Sequence, residues 1–363
     1  MATAIKPTPQ LRDLYREPER MSERQEMIRL DRNERLSAFP ASVFADMMRS
    51  ITAETISTYP DPTPLYSRLA RLSGLPEDCF FATNGSDAAL RMILQAFLSP
   101  GETLVLSSPT YAMLPVYGRI FGANVVEVPY DEQVRLDTAR LGQLIDSHPR
   151  VVAIPNPDQP TGTTLAPGAL RELIARAEAA GVLFVIDEAY FPFYPHSVIS
   201  WVREFCNLLV TRSYSKAWGL AGLRLGVLAG SPDLVNHASR VRGLHEVNTF
   251  AAHFGCYLMD HPEVMDAYVA EVAAGREILR EGARALGLGF PECQTNFQLM
   301  RCDGVDTARL AASMKRRGYL IKGGYKVAPL RDCIRLTVGP PALMDRFLGD
   351  LRLSLEEQNV TKS

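Results

Sequence analysis

Between Thr211 and Gly226 the chain reads TRSYSKAWGLAGLRLG. Ser213 and Ser215 come just before Lys216, and glycines and Arg224 follow it. A lysine amine attacks a carbonyl only while it is neutral, a state that packing and partial desolvation favour. Hydroxyls and a guanidinium give charge-assisted hydrogen bonds to phosphate oxygens. Together these groups suit a phosphorylated carbonyl cofactor, and Lys216 is read as the residue that carries pyridoxal phosphate (PLP). Two other readings compete. SYSK is also an ordinary surface tetrapeptide. Ser-x-x-Lys also opens a serine acyltransferase pattern, but the Ser-Asp-Asn and Lys-Thr-Gly that pattern needs are absent.

Further residues have types that could complete such a site. Asp187 opens Asp-Glu-Ala-Tyr after the most apolar strand-like run. A carboxylate under a pyridine nitrogen keeps the ring protonated and so an electron sink. Tyr190, three residues on, could reach the ring's phenolic oxygen. The alternative for Asp187 is a solvated loop position. Asn84-Gly85-Ser86 precedes a helical pattern, and free N–H groups at a helix start attract phosphate. An ordinary cap by Ser86 or Asp87 is the competing reading. Tyr111 could stack on a ring or be a core tyrosine. Nucleotide motifs fail: there is no G-x-x-x-x-G-K-[ST], and Gly219, Gly222 and Gly226 lack G-x-G-x-x-G spacing.

The elements that must position these residues alternate. Strand-like runs at 103–107, 124–128, 151–155, 182–186 and 208–212 are separated by helical stretches at 111–121, 138–147 and 167–180. Met27 to Asn33 reads as a short strand, and 41–50 as a helix. Short β-branched runs between helices predict a mostly parallel sheet covered on both faces. Ligands on such sheets bind beyond the carboxyl ends of the strands, where 156–162, 187–190 and 213–216 lie. The pattern predicts an N-terminal arm over 1–40 with little core of its own. A large domain over 41–245 and a smaller α+β domain over 246–363 follow.

The 363 residues suffice for this plan, and 47% hydrophobic content is ordinary for a globular chain. A net charge of −2 gives no reason to expect nucleic acid or an anionic membrane as partner. No apolar run is long enough to span a bilayer, and the polar N-terminus does not read as a secretory leader. Six scattered cysteines without C-x-x-C point to free thiols in a reducing cytoplasm. The six histidines have no metal-ligand spacing.

Read in order, LDRNER (30–35), YPDP (59–62), NGSD (84–87), PTY (109–111), NPDQPTG (156–162), DEAY (187–190), SYSKAWGLAGLRLG (213–226), TNF (295–297) and RLTVG (335–339) resemble the histidinol-phosphate aminotransferase family of fold type I PLP enzymes. The resemblance implies a mostly parallel seven-stranded sheet in the large domain. It makes Lys216 the cofactor lysine and proton shuttle, with Asp187 at the ring nitrogen, Tyr190 at the phenolic oxygen and Tyr111 stacked on the ring. Gly85, Ser86, Ser213, Ser215 and Arg224 hold the phosphate, and Asp87 and Gln159 belong to the same cofactor site. Tyr59 reaches the cofactor of a second subunit, which implies a homodimer. Arg335 binds a substrate carboxylate, Lys322 a substrate phosphate, and Tyr15 and Asn33 join them over the substrate. Two positions depart from the family pattern. Gln159 stands where an asparagine is usual, and Lys322 where an arginine is usual, keeping the charge but losing the planar fork.

The leading expectation is therefore a PLP-dependent aminotransferase acting on a small phosphorylated amine, amino alcohol or amino acid, with glutamate as donor. A decarboxylase of an O-phospho amino acid is the alternative, since the two reactions differ only in which bond at the α carbon breaks. A PLP-fold regulator without catalysis is a third class, against which Lys216 and Asp187 together argue.

Overall fold

Alternation of apolar residues along the central strands decides the architecture. The computed structural model describes residues 5–12, 14 and 24–360, so Tyr15 lies outside the described residues. After a two-residue strand β1 (Ile28–Arg29), seven strands form one sheet. They are β2 (Phe80–Asn84), β3 (Thr103–Ser108), β4 (Asn124–Pro129), β5 (Val151–Pro155), β6 (Leu183–Asp187), β7 (Leu208–Ser213) and β8 (Leu225–Gly230). Their spatial order is β2-β8-β7-β6-β5-β3-β4. β8 runs antiparallel to both its neighbours, and the other pairs are parallel.

Every residue of β5 and β6 is buried. Val152, Ile154, Phe184 and Ile186 enter the core on one face of the sheet, while Val151, Ala153, Leu183 and Val185 enter the core on the other. This is the period-two division of a sheet covered on both sides. The helix Gly85–Phe97 supplies Ala89, Leu90, Ile93 and Leu94 to the second of these faces. Each fully buried valine, leucine, isoleucine or phenylalanine among them stabilises the fold by about 1.5–3 kcal/mol.

The five strand-like runs read from the sequence are β3 to β7. β2 and β8 did not show as runs, because FFATN and LGVLAG each hold a single β-branched residue. From β3 the chain moves outward to β4, then returns to place β5 on the other side of β3. That reversal opens a crevice at the carboxyl ends of β3 and β5, where ligands of open α/β sheets bind.

Three more strands complete the chain: β9 (Phe297–Arg301), β10 (Tyr319–Leu320) and β11 (Cys333–Thr337). β9 pairs antiparallel with β11, and β1 pairs parallel with β10. They share a separate core with the helices Pro262–Ala285 and Pro341–Val360, around Tyr268, Met300, Leu336 and Phe347. The helix Thr249–Asp260 still buries Ala251, Phe254 and Leu258 against the sheet. Leu30 is fully buried in the second core, and the Thr337 N–H donates to its carbonyl. The segment after Arg24 is thus stitched to the C-terminal core by backbone pairing, which a charged, proline-punctuated sequence does not reveal. Its strand is shorter than Met27 to Asn33, because Asn33 adopts a left-handed backbone with φ 59°. Among the described residues, no helix is long and apolar enough to cross a membrane.

Candidate active site

Strand ends bring the site together. A cavity of about 120 Å³ is lined by Ser86, Asp87, Tyr111, Gln159, Asp187, Tyr190, Ser213, Ser215, Lys216 and Arg224. A larger cavity, about 350 Å³, is lined by residues such as Tyr130, Asn156, Gly162 and Gln294 and does not contain Lys216. The smaller one holds Lys216 and Asp187, buried groups whose proton affinities are pulled toward neutrality, so the chemistry is placed there.

Lys216 follows β7, and its Nζ donates to the Arg32 carbonyl at 3.0 Å. Burial lowers its pKa to about 8; Arg335 pushes in the same direction and Glu34 opposes. Near neutral pH a useful fraction of the amine is therefore uncharged and able to attack a carbonyl. Asp187 ends β6, 5% exposed, and accepts a 2.7 Å hydrogen bond from Thr211 Oγ1. Burial raises its carboxyl to about 7; the Thr211 hydroxyl pulls it down and Asp158 pushes it up. A cation placed against Asp187 would stabilise the ionised form.

The first turn of the helix Gly85–Phe97 forms an anion cradle. Asn84 precedes it with no side-chain cap, so neither Ser86 nor Asp87 acts as the cap. A β carbon on Gly226 would lie 2.3 Å from the Gly85 carbonyl carbon and 2.4 Å from Ser86 N, so glycine is what lets β8 approach that turn. Gly85 itself has φ 78°, and a β carbon there would meet the Arg224 guanidinium at 2.6 Å. Arg224, also left-handed at φ 58°, donates through Nη1 to Ser215 Oγ at 3.2 Å. Ser213 Oγ accepts from the Ser215 N–H at 3.2 Å. Backbone N–H groups, hydroxyls and a guanidinium thus converge, the donor set a phosphate requires.

Aromatic groups close the walls. Tyr111 donates to Asp87 Oδ1 at 3.0 Å and Tyr117 to Asp87 Oδ2 at 2.8 Å, which sets the Tyr111 ring. Tyr190 Oη accepts from Asn33 Nδ2 at 2.7 Å. Burial pushes the Tyr190 phenol well up, with Arg335 and the Asn33 hydrogen bond opposing, so it stays protonated. Asn33 is held by its own N–H to Thr337 Oγ1 and by Asn296 Nδ2 to its carbonyl.

Arg335 and Lys322 face each other across an antiparallel bridge, with backbone hydrogen bonds of 2.9 and 2.8 Å in the two directions. Arg335 is buried, lies over the Phe297 ring and donates through Nη2 to the Asp31 carbonyl at 2.9 Å. Its buried Nε has no hydrogen-bond partner among the described residues. Lys322 is exposed. Tyr59 lies 79% exposed at the surface, stacked on His245, and does not line the Lys216 cavity of its own chain. Sequence reasoning missed the Arg32 carbonyl and the buried pairing of Arg24 with Asp31, which braces the segment carrying it. It also passed over Asp158, whose only sign was its place in NPDQPTG.

Residues 25–351 match the model of the family described as aminotransferase class I and II. The chain belongs to that family. Among its relatives, histidinol-phosphate aminotransferase 1 of Burkholderia lata is 32% identical over 334 residues, 90% of this chain and 92% of that one. The histidinol-phosphate aminotransferase of Thermoanaerobacter pseudethanolicus is 28% identical over 89% of this chain and 92% of its own. In fold, the chain is similar to the crystal structure of histidinol-phosphate aminotransferase from Sinorhizobium meliloti in complex with pyridoxal-5'-phosphate. The TM-score is 0.88 at 24% identity, covering 98% of this chain and 99% of that one.

Class I and II aminotransferases work with PLP, and the residues present fit it. The glycine-lined cradle at Gly85 takes a phosphate, the buried carboxyl of Asp187 suits a protonated ring nitrogen, and Lys216 offers a partly neutral amine.

Proposed function

We propose that this PLP-dependent aminotransferase moves an amino group between glutamate and a small phosphorylated amine, amino alcohol or amino acid. The observation that carries the reading is Arg335 beside Lys322: two cationic side chains on paired backbone, one with a buried, unpartnered Nε. A substrate with two anionic ends suits such a pair. The names of the relatives, histidinol-phosphate aminotransferases, support a phosphorylated substrate.

The residue roles are those the family resemblance implies, and the chemistry of each group suits them. When bound, PLP withdraws electrons from the bonds at the substrate's α carbon. Lys216 would take a proton from the substrate's α carbon and return it. Asp187 holds the proton on the ring nitrogen. Tyr190 and Gln159 donate to the phenolic oxygen, and Tyr111 covers a ring face. The first turn of Gly85–Phe97, Ser213, Ser215 and Arg224 orient the phosphate. Asn33 holds the Tyr190 hydroxyl in place and belongs to the substrate side of the site.

Exposed Tyr59 supports a homodimer in which it reaches a second subunit's site; sedimentation of the purified protein at micromolar concentration should give twice the chain mass. Free cysteines throughout support a cytoplasmic home, to be checked by cell fractionation.

The decisive assay mixes PLP-loaded protein with glutamate. Stoichiometric 2-oxoglutarate should appear, and the bound cofactor's visible absorption should change. Absence of conversion with every amino donor tried would remove the proposal. Carbon dioxide released from phosphoserine or phosphothreonine without a keto acceptor would replace it with a decarboxylase.

A further inference from the structure

Asp158 has no place in the roles above, yet its carboxylate is the most heavily hydrogen-bonded group near the cavity. It is 1% exposed, in the loop after β5. Oδ1 accepts from Thr110 Oγ1 at 2.9 Å and from the Gln159 N–H at 2.7 Å. Oδ2 accepts from Ser107 Oγ at 2.6 Å and from Tyr130 Oη at 2.7 Å. An ionised carboxylate only accepts, with room for about four such bonds, and these positions are filled. Every partner is neutral.

The donors come from different elements. Ser107 belongs to β3, Thr110 to the turn beyond it, Tyr130 follows β4, and Gln159 is the next residue in the β5 loop. Thr110 leads directly into Tyr111. One carboxylate therefore ties the residue that covers the ring to the residue at the ring's edge.

We propose that Asp158 is a positioning residue for the cofactor ring, aligning Tyr111 with Gln159 and adding a second buried negative charge near Asp187. The proposal rests on reading the cavity as the PLP site. Burial raises Asp158 to about 7 while its hydrogen bonds pull it down, so the charge is partial at neutral pH and full above it. The titratable groups that feel it are Tyr130 after β4, Asp187 on β6 and Tyr190 in the following turn. Asp87, from the helix Gly85–Phe97, and Lys216 are coupled to it through Asp187.

Asp158→Asn keeps the shape and removes the charge. Loss of a nearby anion disfavours protonation, so the pH midpoint of the bound cofactor's visible absorption should fall by roughly one unit. The dissociation constant for PLP should rise about threefold to tenfold as the acceptor pattern is halved. Thr110→Val leaves the charge but removes one tie; it should weaken PLP binding while moving the midpoint less than Asp158→Asn does. A midpoint within about 0.2 units of the native value in Asp158→Asn overturns the proposal, whatever the activity. If that variant fails to fold, Thr110→Val and Tyr130→Phe carry the test, and unchanged PLP affinity in both overturns it. Native protein that binds no PLP would overturn the reading of the cavity instead, so the two failures are distinguishable.

Discussion

The amine of Lys216 donates a 3.0 Å hydrogen bond to the main-chain carbonyl of Arg32, 184 residues earlier in the chain. A carbonyl accepts from an ammonium and from a neutral amine alike, so the contact places the nitrogen without setting its charge. Burial sets the charge. Position and reactivity of the lysine thus have separate causes, one in the N-terminal segment and one in the sheet crevice.

Removing the amine should abolish the reaction while leaving the fold. Lys216→Ala is expected to lower kcat by about three orders of magnitude or more, the scale of a lost proton-transfer group and nucleophile. Single-turnover assays and far-UV circular dichroism on the same sample check both halves. Unchanged visible absorption of the bound cofactor in this variant would refute the role of Lys216.

Gly226 and Gly222 make a steric contrast within one short stretch. A β carbon at Gly226 meets rigid backbone, whereas one at Gly222 meets nothing within 4 Å. Gly226→Ala should destabilise by about 1–3 kcal/mol and weaken PLP binding, because the helix turn that faces the phosphate must move. Gly222→Ala should stay within about 0.5 kcal/mol of the native protein. Urea melts and PLP titrations of the two variants decide it.

In cofactor-free protein the buried ionisable groups predict the pH dependence of stability. The Asp187 carboxyl is raised from 3.8 to about 7, so its contribution is full below 3.8 and is lost as pH rises through 7. Lys216 is lowered from 10.5 to about 8, so protonation is costly when folded and stability recovers as pH rises from about 8 to 10.5. Urea midpoints across this range should fall and then rise. Asp187→Asn should make the acidic limb shallower, with Asp158 supplying what remains, and Lys216→Met should flatten the alkaline one.

Arg335 and Lys322 should separate in their effects, since one is buried and the other exposed. Arg335→Lys loses the planar fork and the free Nε, and KM for the anionic substrate should rise about 10- to 100-fold with a smaller change in kcat. Lys322→Ala should cost less and lose its effect in high salt, because exposed charges are screened. Steady-state kinetics at two ionic strengths test the difference.

Much of the sheet was legible in the sequence. β3 to β7 are apolar-rich segments bounded by turns, and helical periodicity marked the helices between them. β2 and β8 were not, because each holds one β-branched residue and β8 is interrupted by glycines. The tie from Leu30 to Thr337 was hidden for another reason: pairing between residues far apart in sequence leaves no local periodicity.

For the site, sequence by itself determined which groups are present: a lysine beside hydroxyls, acids after strands, glycines before a helix. Residue type dictates donor, acceptor and charge, and the placement of Asp187, Gln159 and Ser213 just after apolar runs marks them for a strand end. Only the tertiary structure decided how those groups behave. It buried Asp187 and Lys216 and so moved their proton affinities toward neutrality. It turned Asp158 from one letter of a loop motif into an acceptor for donors from the ends of two other strands, β3 and β4. Desolvation and convergence depend on what the rest of the chain packs around a group, and no stretch of sequence carries that alone.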